Sequence, residues 1–336
     1  MLLTEGDKNI GFGHLTRCIA LYQAFEEVGA LPEFIVNGDE TVQSLLKDRD
    51  HKVFDWLNDR KRLFATVRNA DMVFIDSYLA DYDLYKKISR LVKTAVYFDD
   101  DIRIEYPRGF VLNGAVFAEQ MPYPKRKDVT YLLGAQYAPL RKEFWDVPVK
   151  HTSDNIRIVM ITFGGADIHN LTPKVLKLLV DTHPELFKKV IIAKGFENIT
   201  EIEKLKDNNT ELIYYPNAAE VKRVMIESDV AISASGQTLY ELARIGVPTI
   251  GICVAENQLQ NIHGWEKTGF LEYVGWYSDD NIEERLEDSL KYLAHANTRE
   301  EKSAIGRRIV DGQGPKRVVC KIITNRRNLQ KKWEKV

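Results

Sequence analysis

Short apolar runs rich in β-branched residues alternate along the chain with segments whose apolar positions recur every three or four residues. The first pattern predicts buried strands and the second amphipathic helices. In the first half, strands are expected at 33–36, 72–75 and 95–98, and residues 2–4 read as the remnant of an earlier strand. Helical spacing fills the intervals over 14–28, 40–47, 58–68 and 81–91. Around 147–154 the pattern pauses in polar residues and then restarts. Strands follow at 156–162, 190–193, 212–214, 230–232 and 249–252, with helices between them, the first from about residue 170. From Asn281 the tail is helical, with a stop and restart at Asp311-Gly312-Gln313-Gly314-Pro315.

Strands alternating with helices predict an α/β protein whose parallel sheets are covered on both faces. The second half repeats the architecture of the first. The expectation is therefore two Rossmann-like, doubly wound domains, over 1–150 and 151–310, with 311–336 as a C-terminal helix packing back on the first. Such sheets bind ligands beyond the carboxyl ends of their strands. Two of them facing across a cleft would line it with the turns that follow strands.

Composition narrows the function classes. A length of 336 residues suits about two domains of ~150 residues each. With 44% apolar residues, both can fill a core. Charges nearly balance, at a net of -2, which argues against a basic nucleic-acid binder. The closing 316–335 segment is basic but reads as a solvated helix with a narrow apolar stripe. Cys18, Cys253 and Cys320 have neither metal-ligand spacing nor the density of a disulfide framework, which fits a reduced cytoplasm. No apolar run approaches the ~20 residues of a membrane span, and the first residues lack the stretch of a signal peptide.

Three glycine-bearing turns could carry chemistry. In Gly11-Phe12-Gly13-His14, two glycines permit a tight turn and close approach of a ligand. The helix that follows presents unpaired N–H groups to an anion. Its positive end discourages protonation of His14, which could then act as a general base beside a phosphate. A helix entry with a capping histidine is the equally simple alternative. No third glycine stands at dinucleotide-fingerprint spacing. Phe163-Gly164-Gly165-Ala166-Asp167 follows a strand, and its amides could face a diphosphate, or Asp167 could merely cap the next helix. Ser233-Ala234-Ser235-Gly236-Gln237 opens a helix that carries Glu241 about one turn in. Hydroxyls and amides there suit phosphate oxygens, and a carboxylate one turn down suits both hydroxyls of a ribose. The alternative is a serine cap with a surface glutamate. It is weakened by the apolar neighbours Leu239, Leu242 and Ala243, since burying an unpartnered carboxylate is costly.

Asp76-Ser77-Tyr78 and Asn257-Gln258 also stand just beyond strands, where polar groups can reach a ligand. Asp99-Asp100-Asp101 admits a cation reading, but a strand end with caps for the next segment is simpler. His51, His151, His169, His183, His263 and His295 are not at ligand spacing and read as surface or structural.

Taken in order, these segments resemble the GT-B glycosyltransferase superfamily. More narrowly they resemble the family of UDP-2,4-diacetamido-2,4,6-trideoxy-β-L-altropyranose hydrolases of pseudaminic acid biosynthesis, which is related to spore-coat polysaccharide proteins. The likeness is carried by Ile10 to Arg17, Phe74 to Tyr78, Tyr97 to Asp100, Phe163 to Asp167, Ser233 to Gly236 with Glu241, and Asn257-Gln258. It implies a GT-B fold and no cofactor or metal. His14 would be the base that activates water. Gly11, Gly13, Arg17, Tyr78, Asn257 and Gln258 would bind the sugar side of the substrate, and Gly164, Gly165, Ser235, Gly236, Gln237 and Glu241 the UDP. Members carry Arg-x-Asp before the first glycine turn, where this chain has Leu3-Thr4-Glu5. An inverting UDP-sugar glycosyltransferase would use the same fold and base. A UDP-sugar 2-epimerase would need further carboxylates around the sugar, and a non-catalytic binding module would have no use for His14.

Overall fold

The computed structural model describes residues 1–7 and 12–333, with side chains described through residue 325. The chain forms two compact units, Met1–Lys142 with Gln313–Val336, and Glu143–Gly312.

The first unit holds strands β1 (Leu2–Gly6), β2 (Phe34–Gly38), β3 (His51–Val53), β4 (Met72–Asp76), β5 (Thr94–Phe98), β6 (Gly109–Asn113) and β7 (Val129–Leu133). They make one parallel sheet in the order β3-β2-β1-β4-β5-β6-β7. Helices α1 (Gly13–Glu26), α2 (Arg60–Val67) and α3 (Tyr82–Leu91) lie in its crossovers. Asp59 and Asp81 open α2 and α3 by accepting from the amides of Arg62 and Leu84. Leu3, Ile35, Val73, Ile75, Tyr97 and Val111 form a core with the inner faces of α2 and α3.

The second unit repeats the order with β8 (Ile158–Thr162), β9 (Phe187–Ile192), β10 (Thr210–Tyr214), β11 (Val230–Ala234), β12 (Thr249–Cys253) and β13 (Leu271–Trp276). All pairs are again parallel, in the order β10-β9-β8-β11-β12-β13. Its helices are α4 (Leu171–Thr182), α5 (Ile199–Leu205), α6 (Ala218–Glu227), α7 (Thr238–Ile245), α8 (Leu259–Thr268), α9 (Ile282–Leu293) and α10 (Ala296–Ile309). Val159, Ile161, Val190, Ile232 and Ile250 anchor its core. The chain then returns to the first unit, where α11 (Gly314–Trp333) packs on α1. Gly312 has φ +78°, and a Cβ there would lie 2.7 Å from the Phe144 carbonyl oxygen. The helix break read from the sequence is thus a place where backbone passes backbone and only glycine fits.

Both sheets reverse direction of winding at one point, between β1 and β4 and between β8 and β11. Such switch points open a crevice at the strand ends, where ligands bind.

Several sequence expectations need correction. Residues 2–4 are no remnant: β1 is fully buried and central, and its polar Thr4 and Glu5 disguised it. The helix expected at 40–47 is only a 3-10 turn, Glu40–Ser44. Four strands were missed. β3 and β7 are edge strands, β6 begins at a glycine, and β13 carries Glu272.

Candidate active site

At the first switch point, β4 delivers Asp76 in register with Thr4 of β1. The helix that follows β1 opens beside it. Gly11 lies outside the described residues; Gly13 is exposed, and Phe12 precedes the helix without any side-chain cap. His14 and Arg17 are three residues apart and share one face of α1, so both reach Asp76. His14 Nδ1 lies 2.6 Å from Asp76 Oδ1. His14 therefore does not cap its helix.

An ionised carboxylate can only accept, so in the neutral imidazole the Nδ1 proton sits in that contact and the lone pair falls on Nε2. Arg17 Nη2 is also 3.1 Å from Nδ1, but it can only donate, and it has Asp76 Oδ1 at 2.7 Å. Arg17 Nε donates to Asp76 Oδ2 at 3.0 Å. Its Nη1 donates to both oxygens of Asp100, at 2.7 and 2.9 Å. Burial opposes charge on the guanidinium, but Asp100 and Asp76 outweigh it and raise its pKa. Asp100 is depressed in return: burial opposes its ionisation and Arg17 more than offsets it. Arg17, placed among substrate contacts by sequence, is in this structure the bridge between two carboxylates.

Tyr78 completes a closed ring of contacts. Its ring meets His14 edge-on, with centroids 4.5 Å apart, and its hydroxyl donates to Asp100. Burial and the neighbouring Asp100 raise the phenol's pKa, so it stays protonated. His14 is 7% exposed and Tyr78 42%, and Asp100 is partly exposed, so the ring opens on its Tyr78–Asp100 side. Asp99 faces elsewhere, accepting from the hydroxyls of Tyr106 and Tyr123 and the amides of Ile102 and Arg103. The aspartate triplet is thus divided among separate tasks. Among the described residues, no three His, Cys, Asp or Glu side chains gather as metal ligands.

At the second switch point, β8 leads into Gly164 and Gly165, where a Cβ would meet nothing within 4 Å. Gly164 takes a positive φ that costs glycine nothing, whereas Asp167 and Asn170 in the same turn hold positive φ as non-glycine residues. Asp167 accepts from the amides of Leu171 and Thr172 at 2.9 and 2.8 Å, and so already caps α4. Of the two readings of this segment, the capping one describes Asp167, and the glycine backbone remains open to an anion.

β11 leads into Ser235, Gly236 and Gln237 ahead of α7. The Ser235 hydroxyl, expected to face phosphate, instead donates to the Ile252 carbonyl at 3.0 Å, and the residue is fully buried. It ties the turn to β12. Gln258 Oε1 accepts from the Ser235 and Val254 amides at 3.2 and 3.4 Å, and Asn261 Nδ2 donates to the Ser235 carbonyl at 2.7 Å. Gly236 is open on its Cβ side, with only Gln258 Nε2 at 3.9 Å. Glu241 is 5% exposed in the first turn of α7, whereas Asn257 is exposed. His169 Nε2 donates to the Val254 carbonyl, 2.9 Å away, and the ring stacks on Tyr277. The turns after β8, β12 and β13 are thereby fastened together.

Sequence reasoning thus brought His14, Arg17 and Tyr78 to one place, and Gly164, Gly165, Ser235, Gly236, Gln237, Glu241 and Gln258 to the strand ends of the other unit. It passed over Asp100, Glu5 and Asn261. Asp100 was hidden inside a triplet read as caps, and Glu5 inside a strand too polar to look central. A charged residue at the end of a central strand was the available signal for both.

The fold is of the GT-B type, and comparisons agree. Residues 158–310 match the model of the glycosyltransferase family 28 C-terminal domain. Among solved structures, the chain is similar to MurG of Acinetobacter baumannii (TM-score 0.68, 14% identity, covering 96% of this chain and 99% of that one). It is also similar to a putative UDP-N-acetylglucosamine 2-epimerase of Listeria monocytogenes (TM-score 0.65, 12% identity, covering 97% and 96%). Among curated sequences, it is 24% identical over 269 residues to a Helicobacter pylori protein named pseudaminic acid cytidylyltransferase and UDP-2,4-diacetamido-2,4,6-trideoxy-beta-L-altropyranose hydrolase, covering 78% of this chain and 46% of that one. A Methanocaldococcus jannaschii protein is 24% identical over 273 residues, covering 77% and 56%. The chain therefore spans about half the length of these curated relatives.

Proposed function

We propose that this protein is a nucleotide-sugar hydrolase. It cleaves the anomeric C–O bond of a UDP-linked 2,4-diacetamido-2,4,6-trideoxy sugar with inversion, releasing UDP and the free sugar for nonulosonic acid synthesis. The reading rests above all on the His14–Asp76 contact, which fixes the ring so that Nε2 can take a proton from water. The name of the Helicobacter relative supports the substrate class. UDP is a stabilised leaving group, so no strong acid is needed on the departing oxygen. Backbone amides at Gly164, Gly165, Gly236 and Gln237 would meet the charge that develops there, and Ser235 would shape that turn from beneath. Gly11, Gly13, Tyr78, Asn257 and Gln258 would contact the sugar, with Arg17 acting through Asp76. The work would take place in a reduced cytoplasm, where Cys18, Cys253 and Cys320 remain thiols.

Glu241 would accept both ribose hydroxyls. Charge-assisted bonds of this kind are worth about 1.5–3 kcal/mol each. For two such bonds, Glu241→Ala is therefore expected to weaken UDP binding by about 10²–10⁴-fold in titration calorimetry. Unchanged UDP affinity would remove the ribose contact from the account.

The family 28 match over 158–310 favours one second reading, an inverting glycosyltransferase of cell-surface polysaccharide synthesis. There His14 would deprotonate an acceptor hydroxyl instead of water. Products separate the two: free sugar with UDP, or a glycoside with UDP.

A further inference from the structure

Glu5, next to last in β1, is a buried carboxylate, 1% exposed, that takes no part in the chemistry above. Burying an ionisable group is costly unless hydrogen bonds compensate. Here the compensation comes from the turn that carries Tyr78. Ser77 Oγ donates to Glu5 Oε1. Ser77 Oγ in turn accepts from the amides of Leu79 and Ala80, at 3.1 and 2.9 Å. A serine hydroxyl has one proton and two lone pairs, so all of its bonding capacity is in use. The Ser77 carbonyl is held from the other side by the Tyr85 hydroxyl at 3.1 Å and Arg103 Nη2 at 3.3 Å. Tyr78 stands between these two anchored groups, with its ring on His14.

We propose that Glu5 is a positioning residue: through Ser77 it latches the 77–80 turn and so fixes Tyr78 against His14 and the sugar. This rests on the hydrolase reading for its kinetic consequence, but not for the latch itself. The direction of the Ser77 proton makes the point. With Glu5 as its acceptor, the hydroxyl's lone pairs are left for the Leu79 and Ala80 amides. Without that acceptor the hydroxyl can rotate, and the two amides compete for water. Burial raises the pKa of Glu5, while the bonds from Ser77 and the Leu79 amide act against it. The latch does not depend on the charge, because a neutral carbonyl oxygen can accept from Ser77 equally.

That gives a test with three variants of the full chain: Glu5→Ala, Glu5→Gln and Ser77→Ala. Amide hydrogen exchange at Leu79 and Ala80 is expected to speed up by about tenfold or more in Glu5→Ala and Ser77→Ala, as loss of one net hydrogen bond implies. Glu5→Gln should keep most of the wild-type protection. With UDP-linked diacetamido sugar as probe, KM should rise by about tenfold in the first two variants with kcat changed far less, because His14 stays on Asp76. Glu5→Gln should recover most of that loss. If Glu5→Ala does not fold, Ser77→Ala removes the same bond from its other end. Unchanged exchange in Ser77→Ala, or a fall in kcat with KM unmoved, would overturn the proposal. A wild-type protein that hydrolyses no such sugar would count against the hydrolase reading, while the exchange data would still decide the latch.

Discussion

Replacing His14 by alanine is expected to lower kcat by about 10²–10⁴-fold, the usual worth of general-base help. UDP affinity should be unchanged, because the groups assigned to the nucleotide all belong to the second unit. The split matters more than the size. A ring that merely supported the fold would, when removed, lower thermal stability along with activity. His14 is 7% exposed, so a modest change in Tm is expected, but the account requires a properly folded, UDP-binding protein that has lost turnover. Steady-state kinetics beside UDP calorimetry would check this, and near-normal hydrolysis by His14→Ala would remove its role.

The second large effect is expected at Asp76. In Asp76→Asn the amide can donate to Nδ1, which favours the tautomer with its proton on Nε2, where the base is needed. Turnover should fall by about 10²–10⁴-fold, as when the base itself is lost. Unlike the His14 variant, this one also disturbs Arg17, which donates two bonds to Asp76 and two to Asp100. Breaking a buried ion pair from one side costs about 3–5 kcal/mol. A neutral amide keeps part of the hydrogen bonding, so Asp76→Ala should lie nearer that range and Asp76→Asn below it. Denaturant unfolding of the three variants should therefore rank His14→Ala as most stable and Asp76→Ala as least. An Asp76→Asn protein with wild-type kcat would contradict the tautomer argument.

The fold was largely legible because a doubly wound sheet writes itself as apolar runs and helical repeats. Val73 to Ile75 and Val159 to Ile161 are buried on both faces and stand out in any reading. The same logic fails at the edges, where only Val129 and Leu132 of β7 are buried, and at β1, where Glu5 is buried among apolar residues. The site was legible in part. Glycines and small residues after strands drew attention to the right turns, and His14 stood in the first turn of a helix. What sequence could not supply was direction. Ser235 reads as a phosphate ligand, but its hydroxyl points back to Ile252. Arg17 reads as a substrate contact, but two carboxylates separated from it by 59 and 83 residues hold it. Pairings of that range arise only once the topology brings β4 and β5 beside α1.

Hydrolysis in ¹⁸O-labelled water tests the central claim most directly. Purified protein would be incubated with UDP-linked diacetamido sugars, and both products examined by NMR and mass spectrometry. Attack by water at the anomeric carbon, assisted by His14, predicts free sugar of inverted configuration carrying the label at its C1 hydroxyl and unlabelled UDP, with both products formed about 10²–10⁴-fold more slowly by His14→Ala. Label in the UDP, or UDP release only when an acceptor alcohol is added, would contradict it.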